Sequence, residues 1–309
     1  MRLYLFLLCL LLSFKKVQSA DTQFIQQAFL QVSNQPIAIA PGTISTENIE
    51  YGTALDYQAQ SILFTYASAG FKERYIMQSF LINGSWQKPK RLKLGNNYYR
   101  GSDVSISPDG DRLYFKTRYN LSDTSLGSDG NIYVSHRTNG HWSAPELLDK
   151  SINSNLDEFY PVETQSGNLY FSREIEHTSY DIFVSQKFDG QLQKAVRLPS
   201  NINTSLVESD AFVSADESFM IFVRMYAEDG YGVSDLYISF NQQGIWSGPI
   251  NMGKKINSPG VDGSPHVSSD NQYLFFTSTR DSDDPTKFDG KLDLYLVKLD
   301  LNAYRKLIK

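Results

Sequence analysis

Five acidic positions recur in step along this chain. Glu50, Glu208 and Asp262 each lie fourteen residues before the last Phe of an apolar triplet: Ile62-Leu63-Phe64, Met220-Ile221-Phe222 and Leu274-Phe275-Phe276. Glu158 lies thirteen before Phe171, behind a turn one residue shorter. In the remaining repeat Gly101 takes the place and Asp103 follows two residues on. Carboxylates gathered in this way could hold a hard cation, which favours clustered oxygens, or anchor a basic or polyhydroxy ligand. The same regularity supports a second reading. A feature carried by nearly every repeat can belong to the repeat itself, each carboxylate capping its loop or pairing with an Arg. Arg118, Arg173, Arg224 and Arg280 stand two to four residues after the triplets, and Asp181, Asp235 and Asp293 open the next strands. An acid, an Arg and an Asp per repeat would form an ion-pair network, which fixes geometry more surely than it adds stability.

A second set of candidates lies in long connections at 119–130, 225–234 and 280–292. They carry Tyr119, Tyr226, Tyr231, Asp283 and Phe288. Long loops at one end of a rigid scaffold are where recognition usually sits, and Tyr beside acids suits sugar or peptide. Asp281-Ser282-Asp283-Asp284 invites a calcium reading, but the Gly and Glu that complete an EF-hand loop are missing from their places. No cofactor is expected, with a divalent cation such as calcium left open. Signals for an enzyme are poor. His136, His141, His177 and His266 lack metal spacing, and no Ser stands in a Gly-x-Ser-x-Gly elbow. Paired carboxylates of a ring could still act as a glycosidase pair.

The elements that must position these residues repeat every 51 to 56 residues. Each unit has a short strand, a turn such as Ser107-Pro108-Asp109-Gly110, and a triplet strand. A third strand such as Asp181-Ile182-Phe183-Val184-Ser185 follows, and then a fourth such as Gly244-Ile245-Trp246 that runs into Pro249. Asp-Gly turns close hairpins because both residues tolerate positive φ. Pro suits an outer edge strand, which has fewer ladder bonds to lose. Five such units predict an all-β chain, a five-bladed β-propeller of four-stranded blades. The fifth unit lacks a fourth strand after Val297, whereas Gln35-Pro36-Ile37-Ala38 matches Gly248-Pro249-Ile250-Asn251. An N-terminal strand is therefore expected to complete the last blade and close the ring. The alternative is six blades, with residues 21–33 and 302–309 building the extra one.

Ile106 to Phe115, Asp181 to Ser185, Trp246 to Gly253 and Ile256-Asn257 together carry a recognisable pattern. It resembles the WD40-like β-propeller repeat of bacterial envelope proteins, the TolB type, over about residues 35–300. The resemblance implies the fold and a binding role in the periplasm or outside the cell. No basic domain of the kind that precedes the TolB propeller is present, so the TolB role itself does not transfer.

The rest of the chain bounds the function. Residues 1–20 read as a secretory signal: Arg2, an apolar run from Leu3 to Phe14, then Val17-Gln18-Ser19. The run is short of the ~20 residues a membrane-spanning helix needs, though Lys15 and Lys16 keep an uncleaved anchor as the alternative. Cys9, the only cysteine, lies in this run, so the mature chain would have no disulfide. A lead segment at 21–34, one propeller domain at 35–300 and a tail at 301–309 complete the division. The net charge of −5 argues against a nucleic-acid partner, which would need clustered Lys and Arg. The expectation is a periplasmic or secreted monomer with no transmembrane span after signal cleavage. It would bind an envelope or extracellular protein, or a glycan, through one loop face. The alternative is a polysaccharide hydrolase or lyase.

Overall fold

The five apolar triplets are the second strands of five antiparallel sheets. In a computed structural model, which describes residues 21, 23–29, 32–121, 125–287 and 291–308, each sheet is one blade. The innermost strands are Ile49–Asp56, Ser102–Ile106, Glu158–Glu163, Val207–Val213 and Asp262–Val267. Each contacts the innermost strand of the next blade, and the fifth returns to the first. The second strands are Ser61–Ala67, Arg112–Tyr119, Leu169–Ile175, Phe219–Met225 and Tyr273–Ser278. The third are Arg74–Ile82, Leu126–Thr138, Ser179–Ser185, Ser234–Gln242 and Asp293–Lys298. The outer strand is broken around Pro89, Pro145 and Pro249, as in Ile245–Trp246 followed by Ile250–Asn251, because Pro has no N–H to give the ladder. The chain is thus a five-bladed propeller of four-stranded blades.

The ring closes as the repeat offset implied. Ile37–Ala38 pairs antiparallel with the last strand, Ile37 opposite Leu296 and Ala38 opposite Tyr295. The six-blade alternative falls because the flanking segments are helical. Residues 23–29 form a helix whose Phe24, Ile25 and Phe29 are buried, and Leu301–Arg305 forms a second, short helix. The first helix latches the seam. Phe24 stands edge-on to Tyr57 and Trp86 of the first blade, with ring centroids at 5.9 and 6.1 Å. Phe29 lies 5.1 Å from Phe275 and 6.0 Å from Tyr273 of the fifth.

Apolar residues pack between blades as five layers, one per seam. Above them a polar clasp repeats. At the seam of blades three and four, Thr204 donates its N–H and its hydroxyl to Glu208 at 2.9 and 2.6 Å. Arg224 donates Nε to Glu208 at 2.8 Å and its terminal nitrogen to the Ile202 carbonyl at 3.1 Å. Asn203 reaches back to the main chain of Ile182 in blade three, at 2.9 Å in both directions. Arg173 with Glu158, and Arg280 with Asp262, repeat the ion pair at 2.7 and 2.9 Å. Asn153 and Asn257 repeat the back-reach to Ile132 and Leu236.

Two seams depart from this rule. At the first, Thr46 still donates to Glu50, but Tyr66 stands opposite where the Arg stands elsewhere. Desolvation holds the Glu50 carboxyl above its ordinary range. At the second, Gly101 replaces the acid. A Cβ there would come within 2.7 Å of the Phe115 ring and 2.9 Å of the Lys116 carbonyl, so no carboxylate fits. Arg118 turns instead to Asp157 at 3.0 Å.

Removing one partner of a buried pair strands the other charge, at a cost of about 3–5 kcal/mol. Glu208→Ala is therefore expected to lose about that much in urea unfolding, and Glu208→Ala with Arg224→Met to recover part of it. No recovery in the double variant would mean that Glu208 acts through its loop cap alone. Phe29→Ala, which empties the latch, should cost about 3–5 kcal/mol by the same measurement. A loss under about 1 kcal/mol would show that the helix only rests on the seam.

Candidate functional site

The sequence marks five acids as one ring, and the structure sorts them into two groups. Glu50, Glu158, Glu208 and Asp262 are at most 2% exposed and sit in the clasps, away from the channel cavity. Asp103 alone of the five lines it.

What brings Asp103 there is a bulge common to all five innermost strands. Gly52, Asp103, Tyr160, Asp210 and Ser264 adopt φ of 63°, 56°, 53°, 49° and 45°. The ladder with the second strand slips at the same place in every blade. One left-handed residue in a strand inserts an extra position and re-aims the side chains around it. Neighbouring blades secure the bulges. The Asp103 N–H donates to Thr65 at 3.2 Å, the Asp210 N–H to Ser172 at 2.9 Å and the Gly52 N–H to Thr277 at 3.3 Å.

The bulge residues meet at the channel mouth on the face of the long loops. Three of them, Asp103, Asp210 and Ser264, border a cavity of ≈230 Å³ whose walls also include Tyr51, Phe71, Arg74 and Phe159. Ser102 donates to Asp103 at 2.8 Å and Ser264 to Asp210 at 3.0 Å. The floor is Tyr160, whose hydroxyl crosses the channel to the Pro265 carbonyl at 2.7 Å. Beneath it lies a chamber of ≈10 Å³ beside His266, Thr53 and Ser105, about the space of one water. Burial there pushes the His266 imidazole down to about 4. The Tyr160 bond spans the channel beside this chamber.

Desolvation, with the neighbouring Asp103 charge second, pushes the Asp210 carboxyl up to about 7. Desolvation raises Asp103 as well, opposed chiefly by Lys116. Two buried carboxyls, both held above their ordinary range, thus lie in one small space and bear on one another.

The loop candidates stay outside the cavity. Tyr226 and Tyr231 are 67% and 49% exposed. Tyr119 lies under the Arg100 guanidinium, 4.9 Å from ring centroid to carbon. Asp283 is exposed on its loop, and Phe288 lies outside the described residues. In the calcium-like stretch, Asp281 accepts from the Tyr295 hydroxyl at 2.6 Å and Asp284 pairs with Lys287 at 3.0 Å. Among the described residues no three His, Cys, Asp or Glu side chains converge as a metal site.

Asp210, Arg74, Tyr51 and Phe159 were not among the candidates. A signal for Asp210 exists: it lies twelve residues before Phe222, and Asp103 lies twelve before Phe115.

No protein-family model matches the chain, and no curated protein is detectably similar to it. Solved structures do match. A putative TolB from Agrobacterium tumefaciens aligns at 14% identity over 82% of this chain and 91% of its own, with a TM-score of 0.50. A thermostable family-43 glycoside hydrolase aligns at 12% identity over 84% and 92%, with a TM-score of 0.53. A further glycoside hydrolase aligns at 13% identity over 89% and 94%, with a TM-score of 0.52. At these identities the likeness is one of fold, and the fold is a five-bladed propeller of the kind that TolB-type repeats build.

The acid pair makes stability depend on pH in a definite direction. A carboxyl raised from 3.8 to about 7 binds its proton more tightly folded than unfolded. The stability it contributes is complete below about pH 4 and is lost as pH rises through about 7, at up to about 1.4 kcal/mol per unit. Asp210→Asn, which keeps a residue type at ease with positive φ, should flatten this slope and exceed the parent in urea midpoint at pH 8. Parallel pH profiles for the two proteins would refute a raised carboxyl at Asp210.

Proposed function

We propose that this chain is an exported binding propeller that takes a glycan at the mouth of its channel. The observation that carries the reading is the channel-mouth cavity that Asp103 and Asp210 line together with Tyr51, Phe71 and Phe159. Carboxyl groups accept from and donate to sugar hydroxyls, and aromatic faces stack on the apolar face of a sugar ring. A few convergent polar groups in an otherwise apolar hollow are the usual make-up of a small-ligand site. Export rests on the sequence of residues 1–20, outside the described residues. Among the described residues no helix is long and apolar enough to cross a membrane.

A second reading, hydrolysis of a polysaccharide, is favoured by the coupled acids. A carboxyl near 7 beside a second buried carboxyl is the provision of a general acid. Binding ranks first because it needs only what the cavity presents. Turnover needs, in addition, that the two carboxyls straddle a scissile bond.

One experiment separates the two. The mature chain is screened on an array of plant, algal and bacterial glycans, and hits are followed by calorimetry and product analysis. Binding predicts a retained glycan with no product, and Asp210→Asn weakening affinity by about two- to tenfold, the worth of one hydrogen bond between neutral groups. Release of product that Asp210→Asn abolishes while binding persists would establish the hydrolase instead. Retention of no glycan at all would end both readings.

A further inference from the structure

One cation on the cavity wall makes no ion pair, though its charge bears on Asp103. Arg74 opens the third strand of blade one and lines the hollow. The other arginines around this face are committed, Arg118 to Asp157, Arg173 to Glu158, Arg224 to Glu208 and Arg280 to Asp262. Among the described residues no carboxylate stands within ion-pair distance of the Arg74 guanidinium. Its contact is with the ring of Phe71, 5.4 Å away.

That contact is built rather than incidental. Phe71 ends the tight turn Ala69–Phe71 and is held at φ 56°, a region that a bulky side chain enters only under constraint. Its ring stands edge-on to Tyr51 at 6.0 Å. The Arg74 carbonyl accepts the Gly101 N–H at 3.0 Å, which ties its backbone to blade two. The guanidinium is thus carried on a fixed main chain and lies over the Phe71 ring, which Tyr51 backs. Strain of this kind, kept in place by its surroundings, gathers at ligand sites.

A guanidinium matches a carboxylate in plane and in spacing of donors, and such charge-assisted bonds are the stronger class. Beside Arg74, near enough for its charge to offset part of the rise in the Asp103 carboxyl, the hollow makes a second demand. Asp103 and Asp210 receive hydroxyls. A fitting ligand therefore carries a carboxylate together with hydroxyl donors, within ≈230 Å³. With Tyr160 bonded across the channel to the Pro265 carbonyl, a polymer is expected to enter by its end.

We propose that the cavity binds the terminal residue of an acidic glycan, a hexuronic-acid ring whose carboxylate Arg74 holds while its hydroxyls meet Asp103 and Asp210. This rests on the glycan reading above and narrows it to a chain end of one charge class.

The test is calorimetry at pH 7 with three probes: an oligosaccharide ending in a hexuronate, its methyl ester, and the same chain ending in the neutral hexose. The acid end should bind about tenfold or more tighter than the other two, and Arg74→Gln should bring that ratio close to one. Lengthening the acid chain beyond its terminal ring, at the end that enters, should abolish binding. Equal affinity for acid, ester and neutral ends would overturn the inference and leave the glycan reading standing. So would a preference that survives Arg74→Gln. The ester arm uses the unaltered protein, so the inference stays exposed even if the variant fails to fold. If none of the probes binds and no glycan on the broad array is retained, the glycan reading falls as well.

Discussion

Among the described residues neighbouring blades are joined by isolated bridges, such as Ile49 with Leu292 and Tyr75 with Arg100, rather than by a continuous ladder, so further contacts must fix the angle between them. Apolar layers fill the seams, but packing of side chain on side chain is not directional. The clasp of carboxylate, Arg and Asn supplies the direction. In each full clasp a buried acid takes protons from its own loop and from the Arg of the second strand, and the Asn of that loop grips the main chain of the preceding blade. Burying such charges is costly, and the geometry is tolerated because each carboxylate oxygen has a donor. At the three seams with a full clasp, the placement of the innermost strand follows from this arrangement.

The two seams that break the rule sit on either side of blade one. Glu50 has no Arg, and Gly101 has no acid. Blade one is also where Arg74 and Phe71 form their wall, and where the helix at 23–29 fastens the ring. Closure by the N-terminal strand and the aromatic latch therefore falls beside the least regular part of the propeller. Repetition gives the scaffold its stiffness, and departure from repetition gives one side of the mouth its character.

The bulge ring shows the same division within a single strand. Five left-handed residues do one structural task, yet their side chains differ: none in Gly52, carboxyls in Asp103 and Asp210, a phenol in Tyr160 and a hydroxyl in Ser264. The phenol spans the channel and the two carboxyls line the cavity at its mouth. Because they share a small desolvated space, their protonation is coupled, and one is held near neutral pH. A carboxyl raised in this way disfavours the folded state at high pH, which marks the site as shaped for something other than stability.

Blade number, strand order and ring closure were legible in the sequence, because they depend on local signals that recur: an apolar triplet, a turn of Asp-Gly type, a Pro on an outer strand. The match of Gln35-Pro36-Ile37-Ala38 to Gly248-Pro249-Ile250-Asn251 carried closure across 213 residues without any structure. The clasp was also written there as an alternative, since Glu208 and Arg224 recur together. The division of the acids was not. Residues two apart on a regular strand share a face, so Glu208 and Asp210 read as equivalent. The left-handed residue of the bulge breaks that alternation, burying Glu208 in a seam and turning Asp210 to the channel. Only the tertiary structure decides this, because the side a bulged residue faces depends on the neighbouring blade that receives its N–H, and no spacing along one chain records that contact.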